Sequence, residues 1–587
     1  MTMARHIRLA TRFLGSLGLA GFVLTAGCGS SGTSGGGGAV DAGFPASASN
    51  TDCQATIPQG GLNGKLTGAT CEYLGIPYGA PPTGSLRFMP PQPAPGWSTA
   101  RDATKFGPSC LQASQVLSAG ATAGDEDCLS ANVFTPQAAP AKALPVMVFI
   151  YGGAFTSGAS SLYDGTRLSE RGPVVVVTMN YRLGALGFLA LPQLDGARAG
   201  APSGSDGIRD QQLALKWVQD NAAFFHGDAS NVTVFGESAG SMSTCIHLVS
   251  PGSQGLASRY IMESGSCVGT GPLLNTQAQA YQLSEALAAA FCSGADGGTP
   301  GGADGGDAGG PGDAGAFDAT SPDVLTCLRN ADPNALMTWV PPAGTVTGGV
   351  GAVIGGLGNL LGPPFAPTIE GAGGVLPDTP PHLVAQGQLN KNATILAGTN
   401  RNEWGLFTYL GGAAGANVGA TSTAQLNQGI ETAFGSTEAP KVEAQYPSTD
   451  ATAAQVSIDL ITDYSFRCPT RALARAAMAQ GVKTYYLYSY DIGKAWHSFE
   501  LLPLFNVSAL ALLGATTPSA GFTQEMLGYW TSFAATGDPN GAGDAGAPVW
   551  PPLDPTGDQY LSLQDPTPAA MAHLRQAQCD FWDSLAP

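Results

Sequence analysis

Val232-Thr233-Val234-Phe235-Gly236-Glu237-Ser238-Ala239-Gly240 joins a β-rich tetrapeptide to a G-x-S-x-G pentapeptide, and the apolar segment Ala239–Val249 follows with helical spacing. A strand, a sharp turn and a helix in that order lift the turn residue above the edge of a sheet. The turn leaves no room for side chains at its flanks, which accounts for Gly236 and Gly240. Ser238 then holds its Oγ exposed on a strained backbone. The helix behind it aims N–H groups and a positive dipole end at any negative charge that develops there. In this context Ser238 reads as a nucleophile, where a G-x-S-x-G without it would be weak evidence.

Working outward, Leu144–Ile150 (LPVMVFI) and Pro173–Tyr181 (PVVVVTMNY) are apolar runs rich in Val, as expected of central strands covered on both faces. Asp206–Phe225 has helical spacing, with Leu213, Leu215, Trp217 and Val218 as apolar members. Arg259–Ser264, Ala393–Gly398 and Thr484–Tyr490 are further buried-strand candidates. Strands alternating with helices predict an α/β fold with a large, mostly parallel sheet flanked by helices.

The first strand of this set ends in Tyr151-Gly152-Gly153-Ala154-Phe155. Adjacent small residues let backbone N–H groups converge without side-chain clash. Acyl transfer needs such donors at the tetrahedral oxyanion, each worth roughly 3–4 kcal/mol. Gly153 and Ala154 are assigned to that role, with Ala239 after the serine. The acid and the base should follow in chain order, at carboxyl ends of strands. Two histidines come late enough, His497 and His573; His497 stands seven residues beyond strand Thr484–Tyr490 and is preferred, while His573 sits in a helix-like C-terminal segment. Glu403 lies just beyond strand Ala393–Gly398 and is the favoured acid; Asp459, Asp463 and Asp491 are alternatives.

Composition bounds the partners. Lys+Arg number 25 against 43 Asp+Glu, a net charge of −18, so no basic stripe for nucleic acid and no basic patch for anionic lipid is expected. Gly and Pro (82 and 43 of 587 residues) stand well above an average share of ~12%. Part of that excess lies at 293–321, a Gly/Asp/Ala-rich insertion expected to be disordered, and part at 344–362, an apolar Gly-rich stretch read as a flap or packed loop. After the first segment no apolar run is long enough to span a bilayer.

That first segment carries Arg5, Arg8 and Arg12 before a short apolar region, Phe13–Leu24, and reads as an export signal over residues 1–27. It ends Leu24-Thr25-Ala26-Gly27-Cys28, which resembles the lipobox of bacterial lipoproteins and makes Cys28 a candidate lipidation site. Residues 28–50 are a Gly/Ser-rich tether, and the catalytic domain is expected over 51–587. Contact with a membrane is expected only through that lipid. Without Cys28, ten of the 11 cysteines remain, an even set that suggests disulfides in an oxidising compartment. No CxxC spacing occurs, so a zinc site is not expected.

Several motifs resemble the type-B carboxylesterase and cholinesterase family, over about 51–585. Tyr73-Leu74-Gly75-Ile76-Pro77-Tyr78 and Leu86-Arg87-Phe88 are similar to its N-terminal hairpins, and Asp125-Glu126-Asp127-Cys128-Leu129 to its SEDCL signature. Phe224-Phe225-His226-Gly227-Asp228 is similar to the stretch before its elbow. Tyr529-Trp530-Thr531-Ser532-Phe533 with Thr536-Gly537-Asp538-Pro539-Asn540 resembles its C-terminal signature. The segment His497-Ser498-Phe499-Glu500-Leu501 resembles H-G-x-E-L, with Ser498 in place of Gly. Ala154 replaces the third Gly of the oxyanion loop, and Glu370 stands where relatives usually have Asp.

The resemblance implies an α/β-hydrolase fold, a Ser238–Glu403–His497 triad and supporting positions at Glu237 and Ser266. It implies hydrolysis of small carboxylic esters without metal or organic cofactor, in an exported bacterial protein. It also implies disulfides Cys110–Cys128, Cys292–Cys327 and Cys468–Cys579, and an Arg87–Glu126 ion pair; Cys53–Cys71 and Cys245–Cys267 are paired from proximity in the chain. Two rival readings remain: a lipase acting on long-chain acylglycerols beneath the 344–362 flap, and a non-catalytic adhesion or scaffold domain on the same fold.

Overall fold

Continuous Val-, Ile- and Tyr-rich runs need apolar cover on both faces, and the fold supplies it by stacking them into one sheet. The computed structural model describes residues 53–585 except 114–121, 199, 270–273, 293–320, 322, 343–364, 414–418, 542–546 and 555–556. The export signal, Cys28, the tether, the 344–362 stretch and all of the 293–321 insertion but Ser321 lie outside the described residues.

Eleven strands form the central sheet: β1 (Lys65–Thr67), β2 (Thr70–Pro77), β3 (Ser130–Pro136), β4 (Leu144–Ile150), β5 (Val175–Met179), β6 (Gly227–Glu237), β7 (Arg259–Glu263), β8 (Thr394–Asn400), β9 (Thr484–Tyr490), β10 (Tyr560–Leu563) and β11 (Ala569–Met571). Their spatial order is β11-β10-β9-β8-β7-β6-β4-β5-β3-β2-β1. The strands from β5 across to β10 pair in parallel. The edges, β5-β3-β2-β1 at one side and β10-β11 at the other, are antiparallel.

The expected strands are present with adjusted ends. The run at 173–181 forms ladder only over Val175–Met179, and β6 is longer than its apolar core because Gly227 pairs with Leu144 across a register shift. The expected helix 206–225 ends at Asn221 and passes into a 3-10 turn, Ala222–Phe225. The antiparallel β3 and the hairpin β10-β11 carry no long apolar run and were not anticipated.

Helices that matter to the site are α1 (Asp206–Asn221), α2 (Ala239–Val249), α3 (Trp404–Ala413), α4 (Thr423–Gln445), α5 (Ala453–Thr462), α6 (Cys468–Ala479), α7 (Ala520–Thr536) and α8 (Gln576–Leu585). One apolar core runs through the sheet. A second, around Trp404, Leu426, Ile430, Tyr464 and Trp582, joins α3, α4 and α5 to the C-terminal α8.

All five expected disulfides form: Cys53–Cys71, Cys110–Cys128, Cys245–Cys267, Cys292–Cys327 and Cys468–Cys579. The last clamps α8 to the start of α6 and the third of these holds α2 to the loop after β7. Arg87 makes a two-pronged pair with Glu126 at 2.7 and 2.6 Å. Glu370 pairs in the same way with Arg209 at 2.9 and 2.8 Å. Among the described residues no helix is long and apolar enough to cross a membrane, and no cluster of three metal-binding side chains occurs.

Candidate active site

The register of the parallel strands decides what meets at their carboxyl ends. Gly236 of β6 lies opposite Ile150 of β4, Glu237 opposite Glu263 of β7, and Glu263 opposite Gly398 of β8. Asn400 of β8 in turn faces Tyr490 of β9. The loops after β4, β6, β7, β8 and β9 therefore leave one edge side by side, the usual ligand edge of such sheets.

At the end of β6 the chain turns through Ser238, with φ 57° and ψ −122°, and enters α2. Its backbone N–H donates to the carbonyl of Glu263 at 2.9 Å, and its own carbonyl accepts from Met242 at 2.9 Å. The two glycines are required for space: a Cβ on Gly236 would come within 2.6 Å of the Gly240 backbone, and one on Gly240 would collide with the Ile150 carbonyl. Ser238 is partly exposed while its neighbours Glu237 and Ala239 are buried.

The loop after β4 places Gly153 and Ala154 at φ 112° and 55°. Such values turn successive N–H groups to one side, and Gly or a short side chain carries them at least cost. Among the described residues no protein acceptor takes the N–H of Gly153, Ala154 or Ala239. Those three donors stand free at the edge that carries Ser238.

Glu403 and His497, 94 positions apart, meet because β8 and β9 are neighbours. Asn402 N–H donates to Ala495 O at 2.9 Å and Arg401 N–H to Tyr490 O at 3.0 Å, which zips the two loops together. Asn400 is the hub. Its N–H donates to Oε1 of Glu403 at 2.6 Å and its side-chain amide donates to Trp496 O at 2.6 Å. With Oε1 thus engaged, Oε2 of Glu403 accepts from Nδ1 of His497 at 2.7 Å. Both side chains are buried. Phe407, one helical turn after Glu403, and Phe466 flank the imidazole, each with ring centres 5.1 Å away.

The link from imidazole to serine is open. Nε2 of His497 has no hydrogen-bond partner among the described residues, and stands 3.2 Å from Oε1 of Glu237. Catalytic hydrogen bonds are often unmade without substrate and tighten only in the reacting complex. The expected support from Glu237 is a direct approach to the ring. Ser266 is different. Its Oγ accepts from Val268 N–H at 3.2 Å and donates to Pro469 O at 3.4 Å, so its bonds brace the loop after β7 and do not reach the triad residues.

The alternatives to Glu403 are engaged elsewhere. Asp463 pairs with Arg467 and Arg575, Asp491 accepts from Ser489 and Ser562, and Asp459 accepts from Gln455. His573 lies exposed in the turn before α8, outside the helix expected there.

Three further acids crowd this buried centre. Glu237 is pushed up to about 7 by burial, against the lowering pull of His497 and of a hydrogen bond from Ser498. Glu500 is pushed up to about 8 by burial and by the charges of Glu237 and Glu403; it accepts from Ser264 Oγ at 2.8 Å and from Asn400. Glu263, pushed well above the usual carboxylate range by burial and by Glu500, accepts from Trp530 Nε1. For His497, burial disfavours the cation, but the charge of Glu237 and the bond to Glu403 outweigh it and raise the ring to about 9. In the sequence Glu263 shows only as the end of a strand candidate and Glu500 only as a letter of the H-G-x-E-L-like segment. A glutamate among apolar residues at a strand end (Arg259–Glu263) was the available signal.

A family model described as the carboxylesterase family matches residues 51–582. The chain belongs to the carboxylesterase family. A cholinesterase of Mus musculus is 31% identical to it over 558 residues, which cover 89% of this chain and 84% of that relative. The sheet is the α/β-hydrolase sheet of this family, and membership supports a carboxylic ester hydrolase. Five disulfides are consistent with an extracellular, oxidising setting.

Proposed function

We propose that the chain is a serine hydrolase that cleaves carboxylic esters through an acyl-enzyme on Ser238, with His497 as base and Glu403 as the acid that orients it. The observation that carries this reading is the 2.7 Å bond from His497 Nδ1 to Glu403 beside a serine on a left-handed turn. Because Nδ1 spends its proton on Glu403, Nε2 keeps a lone pair for the proton of Ser238.

The step sequence follows from those roles. Ser238 Oγ attacks the ester carbonyl while Nε2 takes its proton. The carbonyl oxygen becomes an oxyanion and receives the N–H groups of Gly153, Ala154 and Ala239. Collapse expels the alcohol, which takes the proton from Nε2. Water then repeats the sequence and frees the acid. No residue role here calls for a metal or an organic cofactor. A non-catalytic scaffold would not need the serine, the imidazole and the acid together, and all three are present.

Soluble short-chain esters are the proposed substrates. An export signal, paired cysteines and a lipid on Cys28 would hold the enzyme on the outer side of a membrane. The test is a panel of p-nitrophenyl esters of rising acyl length with wild type and Ser238→Ala. Turnover highest on short chains and lost in the variant supports the proposal. A steep rise on emulsified long-chain substrate would instead make the enzyme a lipase, and no turnover of any ester would overturn the reading.

A further inference from the structure

Ser498 follows His497 and stands where the motif of the family carries glycine. Its backbone has φ 68°, a region that favours glycine and costs other residues. The side chain kept there makes one well-formed bond: Oγ donates to Oε1 of Glu237 at 2.7 Å. The same carboxylate oxygen lies 3.2 Å from Nε2 of His497, the nitrogen that the proposed reaction uses. Among the described residues Ser498 is the one side-chain hydroxyl or amide that donates to Glu237. On the other side a Cβ on Gly152 would come within 3.0 Å of Oε2, so that loop closes over the carboxylate without donating to it.

We propose that Ser498 is a positioning residue: its hydroxyl holds the Glu237 carboxylate ionised and in place beside Nε2 of His497, and thereby sets the pH at which the imidazole becomes a usable base. This rests on the reading of His497 as the base.

The physics is a two-step relay. Burial favours the neutral acid at Glu237, and a donated hydrogen bond favours the charged form. The charged form in turn stabilises the imidazolium, since Glu237 is the foremost of the groups that raise His497. The other groups facing this pair are Glu403 and Glu500 on the loops after β8 and β9, Glu263 at the end of β7, and the hydroxyls of Tyr163 and Tyr488. None of them donates a hydrogen bond to Glu237, so removing the Ser498 hydroxyl leaves that carboxylate with burial unopposed except by His497.

The experiment is the pH profile of kcat/KM on a soluble p-nitrophenyl ester for wild type, Ser498→Gly, Ser498→Ala, Glu237→Gln and the double variant Glu237→Gln/Ser498→Gly. Glycine fits φ 68° without strain, so Ser498→Gly should melt at or above the wild-type temperature. Its acid limb should move down by about one pH unit, the scale of one charge-assisted hydrogen bond. Ser498→Ala should move the limb the same way and guards against a glycine-specific backbone effect. In the Glu237→Gln background Ser498→Gly should add no shift. An unmoved limb in both single Ser498 variants, or a shift of the same size in the absence of the Glu237 charge, overturns the proposal. Ser238→Ala, run alongside, separates the cases: activity surviving in it would remove the triad reading itself, whereas its loss together with unmoved Ser498 profiles removes only this inference.

Discussion

Exchanging Glu403 for glutamine replaces one carboxylate oxygen by an NH2 group and leaves the shape of the side chain almost unchanged. The surroundings dictate which way the amide turns. Oε1 accepts the N–H of Asn400 at 2.6 Å, a bond that only an oxygen can keep. The amide oxygen therefore takes that position, and the NH2 faces Nδ1 of His497, 2.7 Å away. A donor there forces Nδ1 to accept, so the ring proton moves to Nε2. Nε2 then has no lone pair for the proton of Ser238. The expected cost is that of a wrong tautomer in a serine hydrolase, roughly 10,000-fold in kcat or about 5.5 kcal/mol of transition-state stabilisation. Steady-state hydrolysis of p-nitrophenyl acetate measures it, with circular dichroism to show an unchanged fold. Glu403→Asp keeps an acceptor and should retain more activity than the glutamine variant. A Glu403→Gln enzyme within tenfold of wild-type kcat would refute the reasoning, because Nδ1 would then not need this carboxylate.

The acid limb of kcat/KM should lie well above the ordinary histidine value of ~6.5, because His497 is raised to about 9 and only the neutral ring acts as base. Glu237→Gln should bring that limb down, since it removes the charge 3.2 Å from Nε2; a limb at or below pH 6.5 in the wild type contradicts the electrostatics described above. Removing Cys468–Cys579 as a pair of alanines should lower stability in urea by roughly 4–5 kcal/mol, the entropy released by opening a loop of 111 residues, and a change under about 1 kcal/mol would show that α8 holds without its clamp.

Legibility in the sequence followed local density of signal. The β6-turn-α2 segment was readable because strand, glycines and helix fall within a dozen residues and each has its own steric reason. The buried parallel strands were readable as continuous apolar runs. Glu403 and His497 were readable as residues just past such runs, but their contact depends on β8 lying beside β9, which no short pattern encodes. The antiparallel edge was harder: β3 (Ser130–Pro136) mixes polar and apolar residues because Asn132 donates to Ser160 and Thr178 from inside the fold, so it resembles a loop.

The least legible feature was the group of buried acids. Their positions are readable, Glu237 beside the serine, Glu263 at a strand end and Glu500 in a motif, but only packing reveals that burial raises all three and that Glu237 and Glu500 add their charge to one imidazole. Ser266 illustrates the converse. A motif position implied support for the triad, yet the bonds of the hydroxyl go to Val268 and Pro469.

The central claim is that one side chain becomes acylated, and covalent labelling tests it most directly. Wild-type protein is treated with a fluorophosphonate, digested and mapped by mass spectrometry. The account predicts a single phosphonyl adduct, on the peptide holding Gly236-Glu237-Ser238-Ala239-Gly240 and localised to Ser238, with none in Ser238→Ala. An adduct on another residue, or an active enzyme that takes no label at Ser238, would contradict it.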